Sequence, residues 1–203
     1  MTKEKSIAYT RRLCVTALLM AMNVAMSSFG IPVPGGHLYL NDIVICTAAI
    51  LLDPISAFFV GGVGAFLGDL FFYPTPMFVS LVTHGLQAVA ISLLSHYVLR
   101  KKPLLSAILG VSVGAVIMVV GYSLGRAFLY STPAYALLKL PYQILQAAVG
   151  AVFGVLLCFR FGIIRLAKKL GFCAGPDLPA DKTPADAADS AAQDAPDKNP
   201  GEH

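Results

Sequence analysis

Two carboxylates, an imidazole, a guanidinium and several amides stand in a chain that is otherwise largely apolar. Asp42, Asp69, His84, Gln87, Tyr122, Arg126, Gln143 and Gln146 all fall within or at the ends of long apolar runs, with Asn41 beside Asp42. An ionisable group inside a membrane segment is costly, and where it persists it marks a functional site by default. These residue types suit hydrogen bonding more than bond breaking. The amides and Asp42 would bond the substituents of a ring, and Arg126 would pair with an anionic group or with Asp69. Asp42 also has a plainer role open to it, because Asn41-Asp42 precedes an apolar run as a helix cap would. Asp69 has none. A lone His or Gln in a membrane helix commonly serves an interhelical hydrogen bond, but several at one depth are harder to assign that way. Tyr39, Phe72, Tyr73, Phe128 and Tyr130 fall at the same level, either as an interfacial aromatic belt or as walls for a flat heterocycle.

Patterns for catalysis, metal and nucleotide binding are absent or out of place. Gly121-Tyr122-Ser123-Leu124-Gly125 matches GxSxG, yet that motif needs a strand-to-helix elbow and here it ends an apolar helix. A hydrolytic alternative would need Ser123 close to His84. There is no HExxH, Walker loop or EF-hand, and the 4 cysteines have no metal-binding or disulfide spacing. No cofactor or metal is expected.

The elements that must carry these residues are membrane helices. The chain has 203 residues, 57% hydrophobic and 13% charged, about half the charge of a soluble domain. Six spans can be drawn: Leu13 to Phe29, two that fold back to back at Asp53-Pro54 between His37 and Tyr73, Met77 to Leu99, Leu104 to Leu124, and Pro141 to Phe159. The first is read as an uncleaved helix rather than a signal peptide, and GIPVPGGH after it as a turn-rich loop. At 1.5 Å per residue, Asp42 and Asp69 lie roughly 16 and 24 Å from the Asp53-Pro54 turn, toward the same opposite face. Lys3, Lys5, Arg11, Arg12, Arg100, Lys101, Lys102, Arg160, Arg165, Lys168 and Lys169 fall on one side, against Arg126 and Lys139 on the other. The positive-inside rule then places both termini in the cytoplasm and the two aspartates near the outer face. The expected fold is an all-α integral membrane protein with six transmembrane helices: a cytoplasmic N-terminus (1–12), a membrane domain (13–159), a basic amphipathic juxtamembrane segment (160–173) and a disordered tail (174–203), whose composition cannot bury enough apolar surface to offset ordering. Ala17, Ala21 and Ala25 recur on one face of the first helix, where another backbone could approach closely. Gly61, Gly64, Ala65 and Gly68 form a second small-residue stripe, better suited to internal packing.

With these residues assembled, residues 10 to 160 resemble the substrate-binding S component of an energy-coupling factor (ECF) vitamin transporter, in its riboflavin/pyridoxine-type branch. The resemblance rests on the Ala17-Ala21-Ala25 strip, on GGHLYLNDIVICTAAILLDPISAFFVGGVGAFLGDL, and on the stretch from Tyr122 through Leu140-Pro141-Tyr142-Gln143-Ile144-Leu145-Gln146-Ala147-Ala148-Val149-Gly150. The chain departs from the pattern at Leu40-Asn41-Asp42, which lacks a glycine before the aspartate, and at His84-Gly85, where relatives have Lys-Gly. The resemblance implies a binding subunit and no enzyme of its own, taking up a B6 vitamer, riboflavin or a similar heterocycle. A membrane scaffold subunit and two cytoplasmic ATPases would supply the energy, with Ala17, Ala21 and Ala25 facing the partner. The expected ligand contacts are Asn41, Asp42, Asp69, His84, Gln87, Tyr122, Arg126, Gln143 and Gln146, with the glycine- and proline-rich first loop as lid. Two other readings stay open: a stand-alone proton-coupled transporter using Asp42, Asp69 and His84, and a structural subunit whose polar residues only join helices.

Overall fold

The computed structural model describes residues 3–34, 36–99 and 101–172. In chain order these form α1 (Lys3–Ser27), β1 (Gly30–Val33), β2 (Gly36–Tyr39), α2 (Asn41–Leu51), α3 (Pro54–Phe72), α4 (Met77–Tyr97), α5 (Pro103–Tyr130), α6 (Pro133–Arg160) and α7 (Ile163–Lys169). Single π-turns interrupt α3 at Phe59–Val63 and close α5 at Arg126–Tyr130 and α6 at Leu156–Arg160.

The α2–α3 turn forms for the reason its sequence suggests. Asp53 is extended (φ −62°, ψ 160°), its carboxylate accepts from the Ser56 amide and hydroxyl, and Pro54 occupies the first helical position, where no N–H is needed. Arg12 of α1 reaches the same carboxylate at 3.2 Å, which fastens α1 to the turn. The last carbonyls of α2 are satisfied from α4: Ser92 Oγ donates to Leu52 O, and His96 Nε2 donates to Ile50 O.

Among the described residues four helices, α3 to α6, are long and apolar enough to cross a membrane. With 11 residues, α2 is too short to span a hydrocarbon layer of about 30 Å alone. It lies sheltered among α1, α4 and α6, and Ile45, Ala48, Ala49 and Ile50 have no exposed surface. Around this core the large apolar side chains point outward: Leu18, Ile55, Phe71, Phe78, Val82, Val116 and Leu137 are all more than half exposed. The helices touch one another through small residues. A Cβ on Gly61 would meet that of Ala88 at 2.7 Å, one on Gly64 would meet Asn23 Nδ2 at 2.7 Å, and one on Gly68 would meet Ser27 Oγ at 2.5 Å. The α3 stripe is therefore internal packing. Gly150 and Gly154 do the same for α6 against Asp42 and Cys46 of α2.

Several expectations need correction. The fold is not purely helical, because the loop after α1 is an antiparallel hairpin pairing Gly30 with Tyr39 and Val33 with Gly36. The first helix starts earlier than Leu13, because α1 runs unbroken from Lys3 to Ser27. The last long helix begins at Pro133 and not Pro141, because Thr132 caps it by accepting from the Tyr135 amide and Pro133 takes the first turn. Pro141 lies inside that helix. The helix before it runs six residues beyond Leu124, through the π-turn to Tyr130. The short α7 buries Ile164 and Ala167 and exposes Arg165 and Lys169. The tail 174–203 lies outside the described residues.

Candidate functional site

At the hairpin end of the bundle, β2 and the ends of α3 to α6 enclose a cavity of about 110 Å³ that opens to solvent. The hairpin contributes Gly36, His37 and Tyr39, and the α3–α4 loop Tyr73 and Pro76. The helices contribute Asp69, His84, Met118, Tyr122, Arg126, Tyr130, Lys139, Gln143 and Gln146.

One hydrogen-bond network joins four elements beneath this cavity. Asp42 is buried; its Oδ1 accepts from Gln87 Nε2 at 3.0 Å and its Oδ2 from Gln146 Nε2 at 2.7 Å. Those two bonds orient both amides. Gln146 Oε1 is then free to accept from the Tyr39 amide of β2 at 3.1 Å, and Gln87 Oε1 to accept from His84 Nδ1 at 2.6 Å. His84 Nδ1 therefore carries a proton, so in the neutral ring Nε2 is the acceptor. The ring packs edge-on to Tyr122, with centroids 5.2 Å apart.

A second chain fixes the opposite wall. Asp69 Oδ2 accepts from Ser80 Oγ, and Ser80 in turn contacts Tyr122 Oη. An ionised carboxylate can only accept, so Ser80 donates to it and receives from Tyr122, leaving the phenol lone pairs for the cavity. Gln143 is held the same way. Its Nε2 donates to the α5 carbonyls of Met118 and Val119, at 3.4 and 3.2 Å, and its buried Oε1 has no hydrogen-bond partner. Asn41 Oδ1 is also buried and unpartnered. Leaving such an acceptor unsatisfied costs about 1–3 kcal/mol, which a ligand donor would recover.

The hairpin side has a different character. Lys139 is only 4% exposed and its Nζ donates to His37 O, tying α6 to β2. Arg126 Nη2 donates to Tyr130 Oη at 3.3 Å across the π-turn and also lies over that ring. Gly36, at φ 136°, sits between the two cations: a Cβ there would lie 3.4 Å from Lys139 Nζ and 3.9 Å from Arg126 Nη1, in a conformation that side chains rarely adopt. Burial, followed by the charge of Asp69, pushes Tyr39 up to about 12, so its hydroxyl stays protonated.

Seven of the nine expected contacts line the cavity: Asn41, Asp69, His84, Tyr122, Arg126, Gln143 and Gln146. Asp42 and Gln87 stand one layer behind, as the groups that orient His84 and Gln146. Asp42 is not a cap, since Leu40 precedes the helix and both Asp42 oxygens are used by glutamines. Asp69 takes Ser80 as its hydrogen-bond donor, while Arg126 turns to Tyr130. Of the aromatic residues, Tyr39, Tyr73 and Tyr130 line the cavity, whereas Phe72 and Phe128 are 52% and 79% exposed. Sequence reasoning missed Lys139 and Ser80 as parts of the site. A lysine inside an apolar helix was a usable signal for the first; a serine gives none. Ser123 Oγ is buried without a partner and His84 bonds Gln87, so the pair required for the hydrolytic alternative is not formed. Among the described residues no cluster could hold a metal ion.

Residues 8–161 match the model of the family described as "ECF-type riboflavin transporter, S component". The chain belongs to this family. It is a multi-pass membrane protein and the substrate-binding subunit of an ECF transporter, and membership implies a small-molecule vitamin as substrate with scaffold and ATPase subunits as partners. It is also 32% identical over 136 residues to an "Uncharacterized protein in gap 3'region" of Pyrococcus woesei, an alignment that covers 66% of this chain and 89% of that one.

Proposed function

We propose that this S component captures riboflavin at the outer face of the cell membrane, in the cavity beneath the hairpin, and passes it inward with its scaffold and two ATPase subunits. The reading is carried by a cavity whose polar atoms are already oriented by a layer of buried partners, within a family described by riboflavin. Such pre-orientation is what a tight binding subunit needs, because little ordering is left to be done on binding. Orientation follows the charges. Arg11, Arg12, Lys101, Lys102, Lys168 and Lys169 belong to the end that holds the Asp53-Pro54 turn and α7, while Arg126 and Lys139 are at the hairpin end, so the positive-inside rule puts the hairpin outside. In this reading α1 and α2 complete six spans. Ala17, Ala21 and Ala25 lie on an exposed face of α1, open to a partner helix.

The test is to denature the detergent-purified protein and identify released small molecules by mass spectrometry. Riboflavin, pyridoxine and a thiamine precursor are then titrated onto stripped protein. Stoichiometric riboflavin is expected, with Asp69→Asn weakening its binding at unchanged expression. A protein that binds only the B6 vitamer would move the substrate; one that binds none of the three would remove the reading.

A further inference from the structure

We infer that the groove between α1 and the end of α7 holds one anionic phospholipid of the adjacent leaflet. The inference is independent of the solute in the cavity, which lies at the opposite end of the bundle. The chain turns back after α7 at Gly171, whose φ is 71°: the Gly171 amide donates to Lys168 O at 3.0 Å and the Phe172 amide to Ala167 O at 3.2 Å. This turn sets Leu170 and Phe172 along a groove of about 600 Å³ whose apolar walls on α1 are Ile7, Cys14 and Val15. Arg11 and Lys169 stand in the same groove, and none of its described lining residues is acidic. Arg11 Nη1 donates to Leu170 O at 3.3 Å, a bond that fixes the guanidinium beside the groove and uses one of its five N–H groups. A Cβ on Gly171 would lie 3.5 Å from the same nitrogen, so the glycine also keeps that side of the guanidinium open.

Two cations beside an apolar trough are the complement of a lipid, with its phosphate on the cations and an acyl chain on the walls. A guanidinium can hold a phosphate through two parallel hydrogen bonds, and basic pockets between helices at a membrane surface take anionic headgroups. The position agrees. Leu13 and Leu18 are more than half exposed, which marks the lipid-facing side of α1 just beyond Arg11. Cys14 and Val15 lie roughly 5 and 6 Å along the helix axis from Arg11, toward that apolar layer. A phosphate on Arg11 and Lys169 therefore directs its chain along Cys14 and Val15. A soluble anion would leave those walls bare. The rival occupant is the chain's own tail, since the residues from 174 onward carry six aspartates and Glu202 against Lys182 and Lys198. Their one large apolar side chain is Leu178, too little to cover the trough.

The test is native mass spectrometry of the full chain in detergent, titrated with phosphatidylglycerol or with phosphatidylcholine of the same acyl chains. The wild type is expected to bind one phosphatidylglycerol at least about tenfold more tightly than phosphatidylcholine. Arg11→Gln/Lys169→Gln should bring the two lipids within about threefold of each other. Lys101→Gln/Lys102→Gln removes the same charge from the same end of the bundle but outside the groove, and should keep the preference. Cys14→Trp leaves every charge in place and fills the groove, and should weaken phosphatidylglycerol at least about fivefold. Equal binding of the two lipids by the wild type would overturn the inference. So would an equal loss of preference in the two double variants, which would mean diffuse surface charge, or an unchanged affinity in Cys14→Trp, which would mean that no chain lies in the groove. If phosphatidylglycerol binds only after residues 174–203 are removed, the tail is the occupant and the inference falls.

Discussion

Gln143 shows what a single side chain contributes when its direction is fixed. Both amide protons are committed to helix carbonyls of α5, so its oxygen has to be an acceptor. Gln143→Leu keeps the volume and deletes that acceptor, together with the two bonds to α5 carbonyls, which keep their own helical partners. The expected result is a loss of about 1–3 kcal/mol of binding, some 5- to 150-fold in a fluorescence titration, with no loss of thermal stability in the ligand-free protein. A fall in both would mean that Gln143 serves the helix packing alone. At this scale residue type was legible and orientation was not. Asp42 and Gln87 have the same polar character as Asp69 and Gln143, and nothing in their spacing says that they face other side chains rather than the cavity. That depends on helix rotation and on which glutamine meets which carboxylate. Lys139 counted toward topology from its charge, while its place in the cavity wall comes only from the fold.

The α1–α3 pair carries the lesson for elements. Asn23 is fully buried, and its Nδ2 donates to Val60 O at 2.6 Å, inside the π-turn of α3. Gly64 lies directly beneath the same side chain. Gly64→Ala should therefore push the helices apart and cost about 1–3 kcal/mol, seen as a lower melting temperature in detergent; an unchanged melting temperature would mean the contact is not tight. Ala21→Leu, on the exposed face of the same helix, is expected to leave stability and ligand binding alone and to abolish uptake in cells that contain the partner subunits. The Asp53-Pro54 turn and the small-residue stripe of α3 were legible because each depends on local chemistry. The hairpin was not, since Pro32, Pro34, Gly35 and Gly36 read as loop punctuation, and its pairing is supported from elsewhere by Gln146 and Lys139. The start of α6 is not legible from Pro141, which looks like a helix opener, because the Thr132-Pro133 cap stands eight residues earlier.

The whole molecule separates a binding subunit from a transporter that works alone. Liposomes holding only this protein should show saturable flavin binding and no accumulation, with or without a pH gradient; adding scaffold, ATPases and ATP should start uptake. Accumulation by the lone protein would favour the proton-coupled alternative, with Asp42, Asp69 and His84 as carriers. The same whole-molecule view has a calorimetric side. The bulky side chains of Leu18, Phe71, Phe78 and Val116 already face outward, while helix meets helix through glycine, alanine and serine. Parting the helices within lipid would wet little new apolar surface, and it is such wetting that gives unfolding its large heat capacity. This bundle should therefore have a flat stability curve, little weakened by cooling, its strength lying in short-range contact between backbones.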